Sequence, residues 1–414
     1  MRRIDLWEHQ PSAPLALAGT ELQTLLGEAK ALELSITPTG GGGNEFVVRP
    51  GSTVGAVETG GLSVLIRPKI GIPQLLSLAC YAIGKVRFRH EDFDFPEEDA
   101  LPDVLARALA YQARRAFSRG LLHGYRTEEE ALYTVRGRIR FDEQIRRRSG
   151  VPLPVEVRYD EFTDDILENR LVGAAAHRLG GMRPRSQEAR RRLGWIAGML
   201  DSVSLVEFPG RGVPSVTFGR LNEHYRGVVE LSRLILRHSA FESSRGEVRA
   251  SGFLMDMNDV FQEFVTAALR EALGLSARAF GEYGIPSLDK DGRVSLRPDL
   301  TWWRDRECIF VADVKYKNVD QGRVPNTDLY QLLAYVTALD LPAGLLVYAE
   351  GEADVATYNV RCSGKRLEVV ALDLSGALDQ VLARVGCLAR KVRGLGDEAR
   401  RRASAGVAVG GARA

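Results

Sequence analysis

Asp299 stands at the mouth of one β-rich run, and Asp313 and Lys315 stand at the end of the next. The runs are Val294 to Trp303 and Cys308 to Tyr316, both rich in β-branched and aromatic residues, and Arg304-Asp305-Arg306-Glu307 between them reads as a polar hairpin turn. Such a hairpin lays Asp299 beside Asp313. Side chains two apart on a strand share a face, so Lys315 joins Asp313 while Val314 packs into the opposite side. Mg²⁺, or Mn²⁺ in its place, takes oxygen ligands and is usually held by one or two carboxylates plus substrate phosphate. It lowers the pKa of a bound water, and an ammonium nearby can orient that water or neutralise developing negative charge. The bland alternative is a surface hairpin with an Asp313–Lys315 ion pair of small energetic worth. Against it stands Ile309-Phe310-Val311-Ala312, which marks a core strand whose polar end needs a reason.

Two helices are expected beside the hairpin. Asn258 to Leu273 carries Val260, Phe261, Phe264, Val265, Ala268 and Leu269 at helical spacing, with Asn258 placed as N-cap. Glu263, in its middle, is either a solvated residue or a further metal ligand. Thr327 to Leu339 forms the second helix, on which Gln331 and Tyr335 are four apart and share a face. That pair can touch a scissile phosphate or brace Lys315. Strand-like Gly344 to Ala349, Val355 to Arg361 and Leu367 to Leu374 follow, which makes this end of the chain an α/β layer fold.

In order, spacing and element type, Glu263, Pro298-Asp299, Asp313-Val314-Lys315 and Gln331-x-x-x-Tyr335 resemble the PD-(D/E)xK nuclease superfamily. The rest of the chain resembles McrC, the nuclease subunit of McrBC-type modification-dependent restriction systems. The strings that carry this likeness are Leu65-Ile66-Arg67-Pro68-Lys69-Ile70, Leu132 to Ile139, Arg158 to Asp165 running into Glu168-Asn169-Arg170-Leu171, Leu221 to Tyr225, and Asp313-Val314-Lys315-Tyr316-Lys317. The resemblance implies a Mg²⁺-dependent endonuclease acting on double-stranded DNA with an McrB-like AAA+ GTPase that it stimulates. It implies Asp299, Asp313 and Glu263 as metal ligands, Lys315 as support for the attacking water, and Gln331 as an accessory residue. Two rivals stay open: a stand-alone repair or recombination nuclease of the same superfamily, and an adaptor that activates a GTPase and whose nuclease domain is secondary.

A chain of 414 residues suggests two or three domains. The expected organisation is α+β and multidomain: a β-rich N-terminal region for partner docking over residues 1–72, a mostly helical region over 73–240, a PD-(D/E)xK nuclease domain over 241–395, and a disordered tail over 396–414. Expected helices are Glu21 to Ala31, Pro73 to Gly84, Leu101 to Gly120, Asp165 to Leu179, Gln187 to Val203 and Leu221 to His238. Gly40-Gly41-Gly42-Gly43 lacks the Gly-Lys-Ser/Thr of a phosphate loop and reads as a turn between Leu32–Ile36 and Glu45–Arg49, so this chain is expected to bind no nucleotide itself.

The four cysteines show no CxxC spacing and the six histidines no HxH or HExxH spacing, which disfavours zinc. Net charge is +2, and the arginine-dense stretches Arg114-Arg115, Arg136 to Arg148 and Arg183 to Arg192 are better read as solvated faces balanced by Glu than as DNA contacts. Of Trp302 and Trp303, strand alternation puts one in the core. With no apolar leader and no span-length apolar stretch, a cytoplasmic protein without membrane contact is expected.

Overall fold

A computed structural model describes residues 2–40, 44–84, 86, 101–239, 241–245, 248–316, 324–349 and 356–410. The chain packs as two compact units: residues 1–97 together with 254–414, and residues 98–253. The first unit is thus interrupted in sequence by the second. This differs from the consecutive segments expected to break at 72/73 and 240/241, because the N-terminal residues pack with the C-terminal ones. No helix among the described residues is long and apolar enough to cross a membrane.

The first unit opens with β1 (Arg2–Trp7), β2 (Leu15–Ala16), α1 (Gly19–Glu28), β3 (Leu34–Pro38), β4 (Glu45–Pro50), β5 (Thr53–Thr59), β6 (Leu62–Arg67) and α2 (Ile72–Gly84). β5 and β6 pair antiparallel across Gly60-Gly61, both at positive φ, as a two-residue hairpin turn requires. β1 adds in parallel to β6, and β2, β4 and β3 make a small antiparallel sheet. Gly41, Gly42 and Gly43, expected as a turn between β3 and β4, lie outside the described residues.

The second unit contains α3 (Leu101–Phe117), β7 (Gly124–Leu132), β8 (Arg138–Ile139), α4 (Phe141–Arg148), β9 (Val155–Thr163), α5 (Leu167–Gly181), α6 (Gln187–Met199), α7 (Arg226–His238), β10 (Phe241–Arg245) and the start of β11 (Val248–Asp256). Helices α3, α5, α6 and α7 pack on one another. The region expected to be mostly helical also holds a three-stranded sheet, β7-β9-β8. Its strands lack an apolar face because much of both is solvent-accessible, and ion pairs such as Arg158–Glu129 and Arg140–Glu129 cross it instead. Arg146 and Arg147 pair with Glu143, and Arg148 with Glu156, so the arginine-dense stretch is balanced by glutamate.

Re-entering the first unit, the chain forms α8 (Met257–Leu273), β12 (Phe280–Gly281), β13 (Leu300–Arg304), β14 (Glu307–Lys315), α9 (Asn326–Ala338), β15 (Ala343–Ala349), β16 (Ala356–Asn359), β17 (Arg366–Leu372) and α10 (Leu378–Gly410). The apolar stripe of α8 is buried as its spacing requires, with Val260, Phe261, Phe264, Val265, Ala268 and Leu269 all in the core. Its N-cap is Asp256, which accepts from the Asn258 N–H at 2.8 Å, rather than Asn258 itself; a carboxylate there also favours the helix dipole. Gly274, left-handed at φ 69°, ends it. α2 packs on α8 through an edge-on Tyr81–Phe264 contact and a Tyr81 hydroxyl that donates to Glu271 at 2.9 Å. That contact joins the two ends of the unit.

The sheet order is β12-β13-β14-β15-β17-β16. β13 and β14 form the expected hairpin, closed by Asp305 and Arg306, both at positive φ. β13 begins at Leu300 rather than Val294, since the Val294 N–H is taken by the Asp289 carboxylate in the preceding loop. A bulge at Ile309 disturbs the register opposite Trp302 and Trp303. Trp302 is the buried tryptophan of the two. From β14 the chain crosses through α9 to β15, parallel to β14, and β17 pairs in parallel with β15. α9 sits so close to β15 that a Cβ on Gly344 would come within 2.6 Å of Val336 and 2.8 Å of Leu332. α10 runs through residues expected to be a disordered tail, because Leu388, Val392, Leu395 and Ala399 are buried and carry the helix onward.

Candidate active site

Two sheet faces divide the chemistry. On β14 Phe310, Ala312 and Val314 turn one way, toward α8 and α10: the Phe261 ring of α8 lies tilted against Tyr316 at 5.9 Å, and α10 brings Gly396 against Trp302. Asp313 and Lys315 turn the other way, toward α9. The pleat therefore places two charged residues beneath one helix while their neighbours fill the core.

Asp299, just before β13, comes level with Asp313 because Leu300 pairs with Ala312. Its carboxylate is pinned by the Val314 N–H, which donates to Oδ2 at 2.8 Å. Asp313 is fully buried. Lys315 Nζ lies 2.6 Å from Asp313 Oδ2, an ion pair whose angles fall outside hydrogen-bond geometry. Both Asp313 oxygens are thus buried with no hydrogen-bond partner among the described residues. A buried carboxylate is costly unless it is paired, and the Lys315 ammonium is the charge that pairs with it here.

Electrostatics reports the crowding. Burial first, then the charge of Asp313, pushes the Asp299 carboxyl up to about 7. Burial works against the charge of Lys315, but attraction to Asp313, with Asp299 and Asp328 adding to it, outweighs burial and raises its pKa. Tyr335 of α9 is pushed up to about 12, by burial and then by Asp313.

Gln331 and Tyr335 share one face of α9, and the Gln331 amide donates to the Tyr335 hydroxyl at 2.7 Å. That hydroxyl donates in turn to the carbonyl of Arg297 at 2.9 Å, two residues ahead of Asp299. The pair braces the strand entry that carries Asp299.

Glu263 is not brought to this spot. It is exposed on α8, which lies against the other sheet face, and among the described residues no group of three or more His, Cys, Asp or Glu side chains gathers to hold a metal. Lys317, the last residue of the Asp313-to-Lys317 string, lies outside the described residues. Two residues near the site escaped sequence reasoning. Tyr348, level with Lys315 across the β14–β15 ladder, donates from its hydroxyl to Asp328 Oδ2 at 2.5 Å, and both are buried. The available signals were a lone hydroxyl in the all-apolar strand Ala343–Ala349 and an acid in the first turn of α9.

A divalent cation fits what is present: two adjacent buried carboxylates, one paired with Lys315 and the other pushed toward its protonated form by burial and then by its neighbour's charge. Asp299 and Asp313 are the residues that would hold it.

Residues 48–349 match a family model described as the McrBC 5-methylcytosine restriction system component. The chain is 22% identical over 303 residues to the type IV methyl-directed restriction enzyme EcoKMcrBC of Escherichia coli (strain K12), covering 68% of this chain and 86% of that protein. Its fold resembles a chain in the half-complex from a tetradecameric assembly of Thermococcus gammatolerans McrB AAA+ hexamers with bound McrC. There the TM-score is 0.57 at 17% identity, over 93% of this chain and 98% of that one.

Proposed function

Because this chain belongs to the McrBC family of 5-methylcytosine restriction system components, we propose that it is an McrC-like subunit that hydrolyses DNA phosphodiester bonds with Mg²⁺, in company with an McrB-like AAA+ GTPase. The observation that carries the reading is the buried Asp299–Asp313 pair with Lys315 at its side. The domain that holds it is read as a PD-(D/E)xK nuclease domain: a hairpin, a crossover helix and parallel strands, with both acids and the lysine at one end of β14.

Asp299 and Asp313 would hold Mg²⁺, which would supply Lewis acidity toward a phosphate oxygen and a water of lowered pKa. Burial and then the Asp313 charge raise the Asp299 carboxyl to about 7, so it engages a cation as its deprotonated form. The Val314 N–H and the Tyr335–Arg297 hydrogen bond keep its strand entry in place while it does so. Lys315 places a positive charge beside Asp313, where it can orient the attacking water and offset charge on the phosphate. Partner stimulation and methylation dependence are proposed from the systems named by its relatives.

The test is co-expression with an McrB-like AAA+ GTPase, followed by cleavage assays on methylated and unmethylated DNA, with and without GTP and Mg²⁺. Cutting by the complex that disappears in Asp313→Ala supports the reading. Cutting that persists in that variant overturns the site.

A further inference from the structure

A buried carboxylate stands beside the site without belonging to the pair just described. Asp328, in the first turn of α9, accepts from the Tyr348 hydroxyl at 2.5 Å, and Tyr348 is the residue level with Lys315 on the neighbouring parallel strand. Lys315, Tyr348 and the buried Asp313 all turn to the α9 side of the sheet. Lys315 leans on Asp313 at 2.6 Å. If Asp313 turns its charge to a cation, that partnership weakens, and an ammonium half out of water needs another anion to stay where it is.

Resting on the nuclease reading above, we propose that Asp328, held by Tyr348, is the positioning residue that keeps Lys315 in place once Asp313 is engaged by a divalent cation. A short, charge-assisted hydrogen bond from a fully buried phenol fixes the carboxylate's direction. Its seat at the amino end of α9 favours its negative charge. Lys315 also senses the Asp328 charge. Asp313 is the anion nearest Lys315, and Asp328 adds an attraction from the α9 side; without it Lys315 holds to Asp313 and competes with the cation for it.

Mn²⁺ binding to the full chain, free of DNA and partner, tests this independently of cleavage. Asp328→Asn keeps volume and an acceptor for Tyr348. It is expected to weaken Mn²⁺ binding by about tenfold, the usual scale for a supporting partner of a metal ligand. In a Lys315→Met background the same substitution should weaken binding by clearly less, since the competing ammonium is gone. Tyr348→Phe, which leaves the charge but removes one of the hydrogen bonds that set its direction, should fall between and serves if Asp328→Asn does not fold. With partner and DNA, the effect should appear in kcat and not in KM. An equal loss of Mn²⁺ affinity in both lysine backgrounds, or none in either, overturns the proposal. The control separates it from the nuclease reading: if wild type and Asp313→Ala bind Mn²⁺ alike, the metal site itself is wrong, whereas binding lost only in Asp313→Ala leaves that reading standing and removes Asp328 alone.

Discussion

Replacing Asp299 by Asn should make the metal-free protein more stable, and by more as the pH rises. The folded structure holds the Asp299 carboxyl near 7 against an ordinary 3.8, through burial and the neighbouring Asp313 charge. An acid whose pKa is raised on folding binds its proton more tightly in the folded state. The stability it contributes is complete below about pH 4, declines between 4 and 7, and is gone above 7. At about 1.4 kcal/mol per pKa unit, the ionised carboxylate costs roughly 4 kcal/mol at pH 8 and roughly 2 kcal/mol at pH 5. Asn keeps an oxygen for the Val314 N–H and offers a donor to the orphaned oxygens of Asp313. Melting in EDTA at pH 5 and pH 8 reads this directly, at roughly 2–4 °C per kcal/mol for a domain of this size. The variant should melt above wild type at both, with about twice the gap at pH 8. A variant no more stable than wild type at pH 8, or a gap that narrows as pH rises, would refute the carboxylate-pair reasoning. Saturating Mg²⁺ should close the gap, because wild type then gains the binding energy that the variant lacks.

Asp313→Ala and Lys315→Ala should each abolish Mg²⁺-dependent DNA cleavage in the presence of the partner while leaving circular dichroism unchanged; wild-type cutting by either disproves the assignment. Residues 98–253 expressed alone should fold and melt cooperatively, whereas a fragment ending near Ala240 should expose the apolar face of α2, which needs α8, and should be degraded faster in limited proteolysis. Gly344→Ala should destabilise by about 1–3 kcal/mol, the usual cost of overpacking, because its Cβ would meet Val336 and Leu332 of α9 well inside contact distance; a melting temperature equal to wild type would show that α9 can shift.

The hairpin was legible because its strands are apolar runs divided by a charged turn, and because period-two alternation puts Asp313 and Lys315 on one side whatever the tertiary context. The apolar stripe of α8 was legible for the same kind of reason. Periodicity states which side of a helix is buried but not which sheet face it meets, and so the expected approach of Glu263 to the acids does not occur: α8 packs behind Val314 and Tyr316, not beside Asp313. Asp328 and Tyr348 were missed because only register across β14 and β15 brings them to Lys315. Strands β7 and β9 were missed because their partners are charges on exposed faces rather than a core. The tail helix was hidden by Gly394, Gly396 and a run of small residues, although Val392 and Leu395 continue its buried stripe. Local composition also gave no hint that residue 97 and residue 254 bound an insert.

That insert has a consequence on the ribosome. The α2 surface that α8 covers is made long before α8 exists, with residues 98–253 still to be translated in between. At roughly 5–20 residues per second the wait is about ten to thirty seconds, longer than a helical unit such as 98–253 needs to fold. The nascent chain therefore carries a finished middle and an unfinished beginning, and the half-built first unit is the species that chaperones meet. The part of that unit made after the insert includes β13, β14 and both acids, so the Asp299–Asp313 pair cannot assemble until residues 98–253 have been made.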